Sequence, residues 1–151
     1  MKNARLALAW TGILATAAAC GPPTNTFSGA PMPPMVDLTC ELRSVQSGVL
    51  NPTYWGDRSD DGLALTFTNL DADSGTAMLV GNIGAGTVEF RKQAAQWQFI
   101  ELTPSGNMTL TSVFAPPSVG EALPAVLSRH ILIAPGNVSI SQYAGSCVPK
   151  H

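Results

Sequence analysis

The sequence predicts an all-β fold, a single antiparallel meander of about eight short strands. Three observations predict it. Apolar and polar residues alternate with a period of two in several short stretches, clusters of turn-forming residues separate those stretches, and no long stretch has helical periodicity. Arg91 to Gln96 could form one helical turn and nothing longer.

The candidate strands are residues 36–43, 63–68, 76–82, 87–92, 97–102, 108–114, 126–133 and 138–143. In the second, Leu63, Leu65 and Phe67 fall on one face and Ala64, Thr66 and Thr68 on the other. In the sixth, Met108, Leu110, Ser112 and Phe114 oppose Thr109, Thr111 and Val113. Such alternation with β-branched residues marks half-buried strands. The turns are read at "DADSG" (71–75), "GAG" (84–86), "TPSGN" (103–107) and "APGN" (134–137). Two connections are longer: residues 44–62, which carry Tyr54 and Trp55, and residues 115–125. Loops of that length are often functional. In an up-and-down meander the first shares an end with "GAG", "TPSGN" and "APGN", so a binding face is expected at the Tyr54–Trp55 end.

Composition bounds the function. The chain has 151 residues, enough for one domain of ordinary size. Charged residues make up 12%, about half the usual share, so the surface relies on Ser, Thr, Asn, Gln and Gly. Formal net charge is −2 with no basic run, which removes the electrostatic footprint for nucleic acid.

Residues 1–19 differ from the rest. Lys2 and Arg5 precede an uncharged run from Leu6 to Ala19 that ends in Ala17, Ala18 and Ala19, the layout of an export signal. The run has fourteen residues, whereas a permanent membrane helix needs about 20. Cys20 follows directly. This stretch resembles the lipobox of bacterial lipoproteins, with Ala17 where Leu is favoured; the same alanines also fit an ordinary A-x-A cleavage site. The resemblance implies that Cys20 is diacylated and becomes the new N-terminus, and that Gly21 in the next position favours sorting to an outer membrane, facing the periplasm. Two acyl chains make a stable anchor. Residues 21–35 hold five prolines and are expected to be an extended tether, reaching up to roughly 45 Å. The folded domain then covers residues 36–151.

Three cysteines in an exported chain need an explanation. With Cys20 lipidated as the resemblance implies, Cys40 and Cys147 are left to pair in an oxidising compartment. A bridge needs Cα atoms within about 7 Å, so the first and last strands become neighbours. The meander then closes as a small barrel, with a two-sheet sandwich as the alternative. Without the leader, six basic and ten acidic residues leave a charge of −4, so the lipid and not the surface would hold the protein to an anionic membrane.

Candidates for chemistry are few. Asp57, Ser59, Asp61 and Gly62 match the start of a calcium loop, but its twelfth position is Thr68 instead of Glu. Asn69, Asp71 and Asp73 alternate as well; both clusters read as solvated turns. Ser128 and His130 share a strand face, with Arg129 opposite, and no nucleophile-elbow motif accompanies them. No metal or cofactor is expected: the ligands are too few, and "GNIGAG" lacks the Lys-Ser/Thr of a phosphate loop. Trp97, Phe99, Phe67 and Phe90 read as core aromatics. Tyr54, Trp55, Arg129 and His130 are the candidate partner-contact residues.

The small acidic domain is also similar to the envelope lipoproteins that inhibit c-type lysozyme, in its anchor, length, terminal cysteines and charge. Their Ser-Gly-Ala-Arg-Tyr type loop is matched only by Ser105 and Gly106, which Asn107 and Met108 follow. The expected function is a non-enzymatic, lipid-anchored envelope protein that binds another envelope protein. A small-ligand carrier is the alternative, and a hydrolase using His130 with Ser128 a third class.

Overall fold

The computed structural model describes residues 29–51, 54–57 and 62–150. Nine strands occur there and no helix: β1 (Leu38–Asn51), β2 (Tyr54–Asp57), β3 (Leu63–Asp71), β4 (Thr76–Gly81), β5 (Gly84–Lys92), β6 (Gln96–Leu102), β7 (Met108–Phe114), β8 (Leu123–Ala134) and β9 (Asn137–Pro149). β1 and β3 to β9 form an eight-stranded antiparallel meander that closes on itself through β1 and β9. Closure removes the exposed edges an open sheet would present.

The closing pair is the longest in the molecule. β1 runs beside β9 from Leu38 opposite Pro149 to Leu50 opposite Val138, with a bulge between Ser44 and Gln46. Cys40 faces Cys147 directly and the two form a disulfide, their Cα atoms 3.9 Å apart. A Cβ added at Gly145 would overlap the carbonyl oxygen of Glu41, so glycine is what lets β9 lie this close to β1.

Within the expected loop 44–62, residues 44–51 and 54–57 are strand. β1 continues beyond Arg43 because β9 offers it a partner as far as Leu50, and β2 pairs antiparallel with its end, with Leu50 opposite Trp55 and Asn51 opposite Tyr54. β3 covers the same edge of β1 only over Leu38–Leu42. "GAG" is not a turn either: Gly81 pairs with Gly84, the two-residue turn is Asn82–Ile83, and residues 84–86 begin β5. Residues 91–96 hold no helical turn; β5 runs through Lys92 and β6 begins at Gln96.

One end of the barrel is packed solid. Leu38, Leu42, Phe67, Phe90, Trp97, Phe99, Val113, Leu123 and Leu127 are buried there around the disulfide. Phe99 stacks on Phe67 with centroids 3.8 Å apart and on Phe90 at 5.2 Å, and Trp97 meets Phe90 edge-on at 5.9 Å. Such ring pairs add about 0.5–1.5 kcal/mol each beyond the area they bury.

The chain also seals this end. The last part of the expected tether is docked and not extended away: the Ala30 amide donates to the Pro116 carbonyl at 3.1 Å, and Met32 packs against the core. Met32 is the apolar side chain that Pro-rich composition concealed. Asp37 ties the entering strand down, its carboxylate accepting from the Asn69 amide at 3.1 Å and its carbonyl from the Lys150 amide at 2.7 Å. Asn69, at φ 52°, occupies the left-handed region that Asn tolerates, at the irregularity between Thr68 and Asp71.

Candidate functional site

The opposite end of the barrel is open, and period-two geometry explains why. Inward positions that are large and apolar at the sealed end become short or polar toward the other end. On β6, Phe99 is followed by Glu101; on β8, Leu127 by Arg129; on β7, moving the same way, Val113 gives way to Thr111 and Thr109. On β9, Tyr143 is followed by the buried Ser141 and Ser139. Across the barrel, β4 and β5 carry glycine at the inward positions Gly81, Gly84 and Gly86.

The result is a cavity of about 440 Å³ opening at this end. One wall is apolar and nearly flat, built from Leu63, Leu65, Leu79 and the glycines. A Cβ added at Gly86 would have no neighbour within 4 Å, and one at Gly81 would lie 3.4 Å from Leu65 Cδ2. The missing side chains are therefore what makes the space. The facing wall carries Glu101, Thr109, Arg129 and Tyr143, and Leu127 closes part of the floor. A more open hollow of about 790 Å³ continues outside, where β3 and β1 part, and shares Gly62, Leu63 and Asn82 with the cavity.

Arg129 is held in place within the wall. Its Nη2 donates to Tyr143 Oη at 2.8 Å, and its guanidinium carbon lies 5.4 Å from the Tyr143 ring centroid. Glu101 pairs across strands with Thr109, and Thr109 pairs with Arg129, so the three form one row across β6, β7 and β8. Among the described residues, none donates a hydrogen bond to the Glu101 carboxylate or pairs ionically with it.

The candidate contact residues are separated by the fold. Arg129 points into the cavity, while Ser128 and His130 point outward because Leu127 is buried. Gln142 Nε2 donates to Ser128 Oγ at 2.8 Å, and Ser128 Oγ lies 3.4 Å from His130 Nε2, beyond an ordinary hydroxyl bond. Among the described residues no carboxylate hydrogen-bonds to His130, so the pair lacks the acid of a nucleophilic arrangement and sits outside the cavity. Tyr54 and Trp55 belong to β2 at the open end, on a strand and not in a loop. Cys20 lies outside the described residues, as do Ser59 and Asp61 of the calcium-like stretch.

The second acidic cluster is a turn. The Asp71 carboxylate accepts from the Asp73 amide at 2.9 Å and the Ser74 amide at 3.1 Å. Hydrogen bonds from the Ser74 side chain, then from the Ser74 and Asp73 backbones, hold its pKa below the ordinary 3.8. Among the described residues, no group of three His, Cys, Asp or Glu gathers for a metal ion.

The outer wall over β6 to β9 is unusually apolar. On β7 the face with Met108, Leu110 and Phe114 points out and Thr109, Thr111 and Val113 point in, the more polar face being turned to the barrel interior. Leu102, Met108, His130 and Ile140 form one outward row across four strands, and Leu132 and Val126 are about half exposed nearby at 51% and 45%.

Sequence reasoning missed the cavity. Its signal is Gly81, Gly84 and Gly86, the three inward positions nearest the Asn82–Ile83 turn of one β-hairpin. Comparisons with protein-family models, curated proteins and solved structures give no match to this chain.

Proposed function

We propose that this protein is a non-enzymatic, lipid-anchored barrel of the bacterial envelope that binds a small amphiphilic ligand in its open end. The cavity carries this reading. Its volume of about 440 Å³ falls within the roughly 300–1,000 Å³ of small-molecule sites, and it combines an apolar wall with a few converging polar groups. The anchor is supported by the lipobox-like stretch ending in Cys20.

Native mass spectrometry of the full exported protein tests both halves. The expected spectrum contains a diacyl mass on the chain, absent from Cys20→Ser, and a non-covalent small-molecule adduct. Gly86→Leu fills the cavity at a position of ordinary φ and removes the strand glycine's entropic penalty of about 0.5–1 kcal/mol. It should lose the adduct while keeping its thermal midpoint. A wild-type spectrum without adduct overturns the carrier reading.

The apolar outer face over β6 to β9 favours a second reading, an envelope protein partner that covers Leu102, Met108, Leu132 and His130. Crosslinking in solubilised envelope, lost on Leu132→Ser together with Leu102→Ser, would support it. Lysozyme inhibition is one sub-case, and unchanged lysis at excess protein eliminates it.

A further inference from the structure

We infer that the ligand of the open end is a small primary amine on a short apolar body, its ammonium held by Glu101 and Thr109. This rests on the cup reading above and specifies its ligand.

The charge that the cavity leaves unmatched is negative. Arg129 is already engaged by Tyr143, and both residues make further contacts. Glu101 lines the same cavity, and among the described residues nothing hydrogen-bonds to its carboxylate or pairs with it. Thr109, directly opposite on β7, adds a hydroxyl oxygen to the same wall. An ammonium has three donors and no acceptor, so two carboxylate oxygens and a hydroxyl suit it. A carboxylate or phosphate would meet like charge there.

The direction of Glu101 is not the one solubility asks for. Trp97 and Phe99 point inward and are buried, and Glu101 follows them on that face while Leu102, facing out, is 63% exposed. Exchanging the two would bury the leucine and solvate the acid. Inside the cup the acid instead lies across from Leu63, Leu65 and Leu79, on a wall that Gly81 and Gly86 flatten, which suits an apolar body behind the amine. That body is short, because Phe67, Phe99 and Leu127 are buried at 0–2% exposure beneath the cavity and end it.

The cation of Arg129 does not cancel the attraction. It stands two strands from Glu101, roughly 10 Å along the row. Coulomb energy falls as the inverse of distance, so an ammonium about 3 Å from the carboxylate is attracted roughly three times as strongly as the guanidinium repels it.

Isothermal titration of the full protein with hexylamine, N-hexylacetamide and hexanoate tests the assignment. A charged hydrogen-bonded pair predicts that hexylamine binds more than about tenfold tighter than either of the others. From butylamine to hexylamine the affinity should rise roughly fourfold per methylene, as apolar burial requires. In Glu101→Gln the amine and the amide should bind alike, and Gly86→Leu should bind neither, with thermal melting confirming that both variants fold. Vesicles of phosphatidylethanolamine, whose amine is borne on long acyl chains, should leave hexylamine binding unchanged.

Equal affinity for amine, amide and acid in wild type, an amine preference that survives in Glu101→Gln, or competition by the vesicles overturns the inference. The outcomes also separate the two levels. If no amine binds while the native spectrum retains an adduct that Gly86→Leu removes, the amine assignment fails and the cup reading stands. If the adduct is absent as well, both fail.

Discussion

Replacing Cys40 and Cys147 together by alanine removes the covalent closure of the barrel and leaves the β1–β9 ladder intact. The bridge joins residues 107 positions apart, and the chain-entropy model assigns a loop of that size about 4.8 kcal/mol at 25 °C. Residual structure in the unfolded chain lowers this, because a compact denatured state has already lost part of the freedom that the bridge removes. Half the figure, about 2.4 kcal/mol, remains a large part of a stability of about 5–15 kcal/mol. With a urea slope of about 2 kcal/mol/M, the midpoint should fall by roughly 1.2–2.4 M. Tryptophan fluorescence during urea unfolding, run on wild type, on wild type with reductant and on the double variant, measures it. The reduced wild type keeps both sulfurs and so isolates the bond from the small voids that alanine leaves. Midpoints within about 0.3 M of each other would refute the reasoning and show that the ladder alone holds the first and last strands together.

The sealed end yields a second prediction. Phe99→Ala removes the ring between Phe67 and Phe90 and should cost about 3–5 kcal/mol in the same urea assay; a loss under about 1 kcal/mol would mean that the stack does not hold the core. A third concerns acid. Because the folded-state pKa of Asp71 is lowered, its contribution is present above the unfolded value near 3.8 and is lost as pH falls through the folded value. The melting-temperature difference between wild type and Asp71→Asn should therefore stay constant above about pH 4 and shrink below it, and a constant difference down to pH 2 would show that the charge contributes nothing.

Six of the eight barrel strands can be read over most of their length from the sequence, several of them because their alternation is clean. Residues 63–68, for example, are the start of β3, and the face with Leu63, Leu65 and Phe67 is the inward one. The closing pair is legible only in part: β9 runs past the read stretch 138–143 to Pro149, with Cys147 inside it, and β1 runs past Arg43 to Asn51. Beyond Arg43 the residues are Ser, Gln and Gly with few apolar ones, and what extends them is the neighbouring β9, a long-range partner that local pattern does not reveal. The closure was legible for a different reason: two cysteines at the ends of a meander permit few arrangements. The cup was hidden because its walls are made of absence. Gly84 and Gly86 read as turn punctuation and Gly81 as part of a strand, and only the inward register turns the three into a surface. The opposite orientation of Arg129 and His130 is legible in the alternation, and the pleat does send them to opposite sides of the wall; what the alternation leaves open is which side is the interior.

The docking of Ala30 and Met32 beneath the barrel fixes the polarity of the whole body. A pull on the chain ahead of residue 29 reaches the molecule at its floor, the pole farthest from Gly86 and Arg129. If the leading segment is anchored as proposed, the anchor would therefore hold the molecule by its floor, with the open end facing away from it.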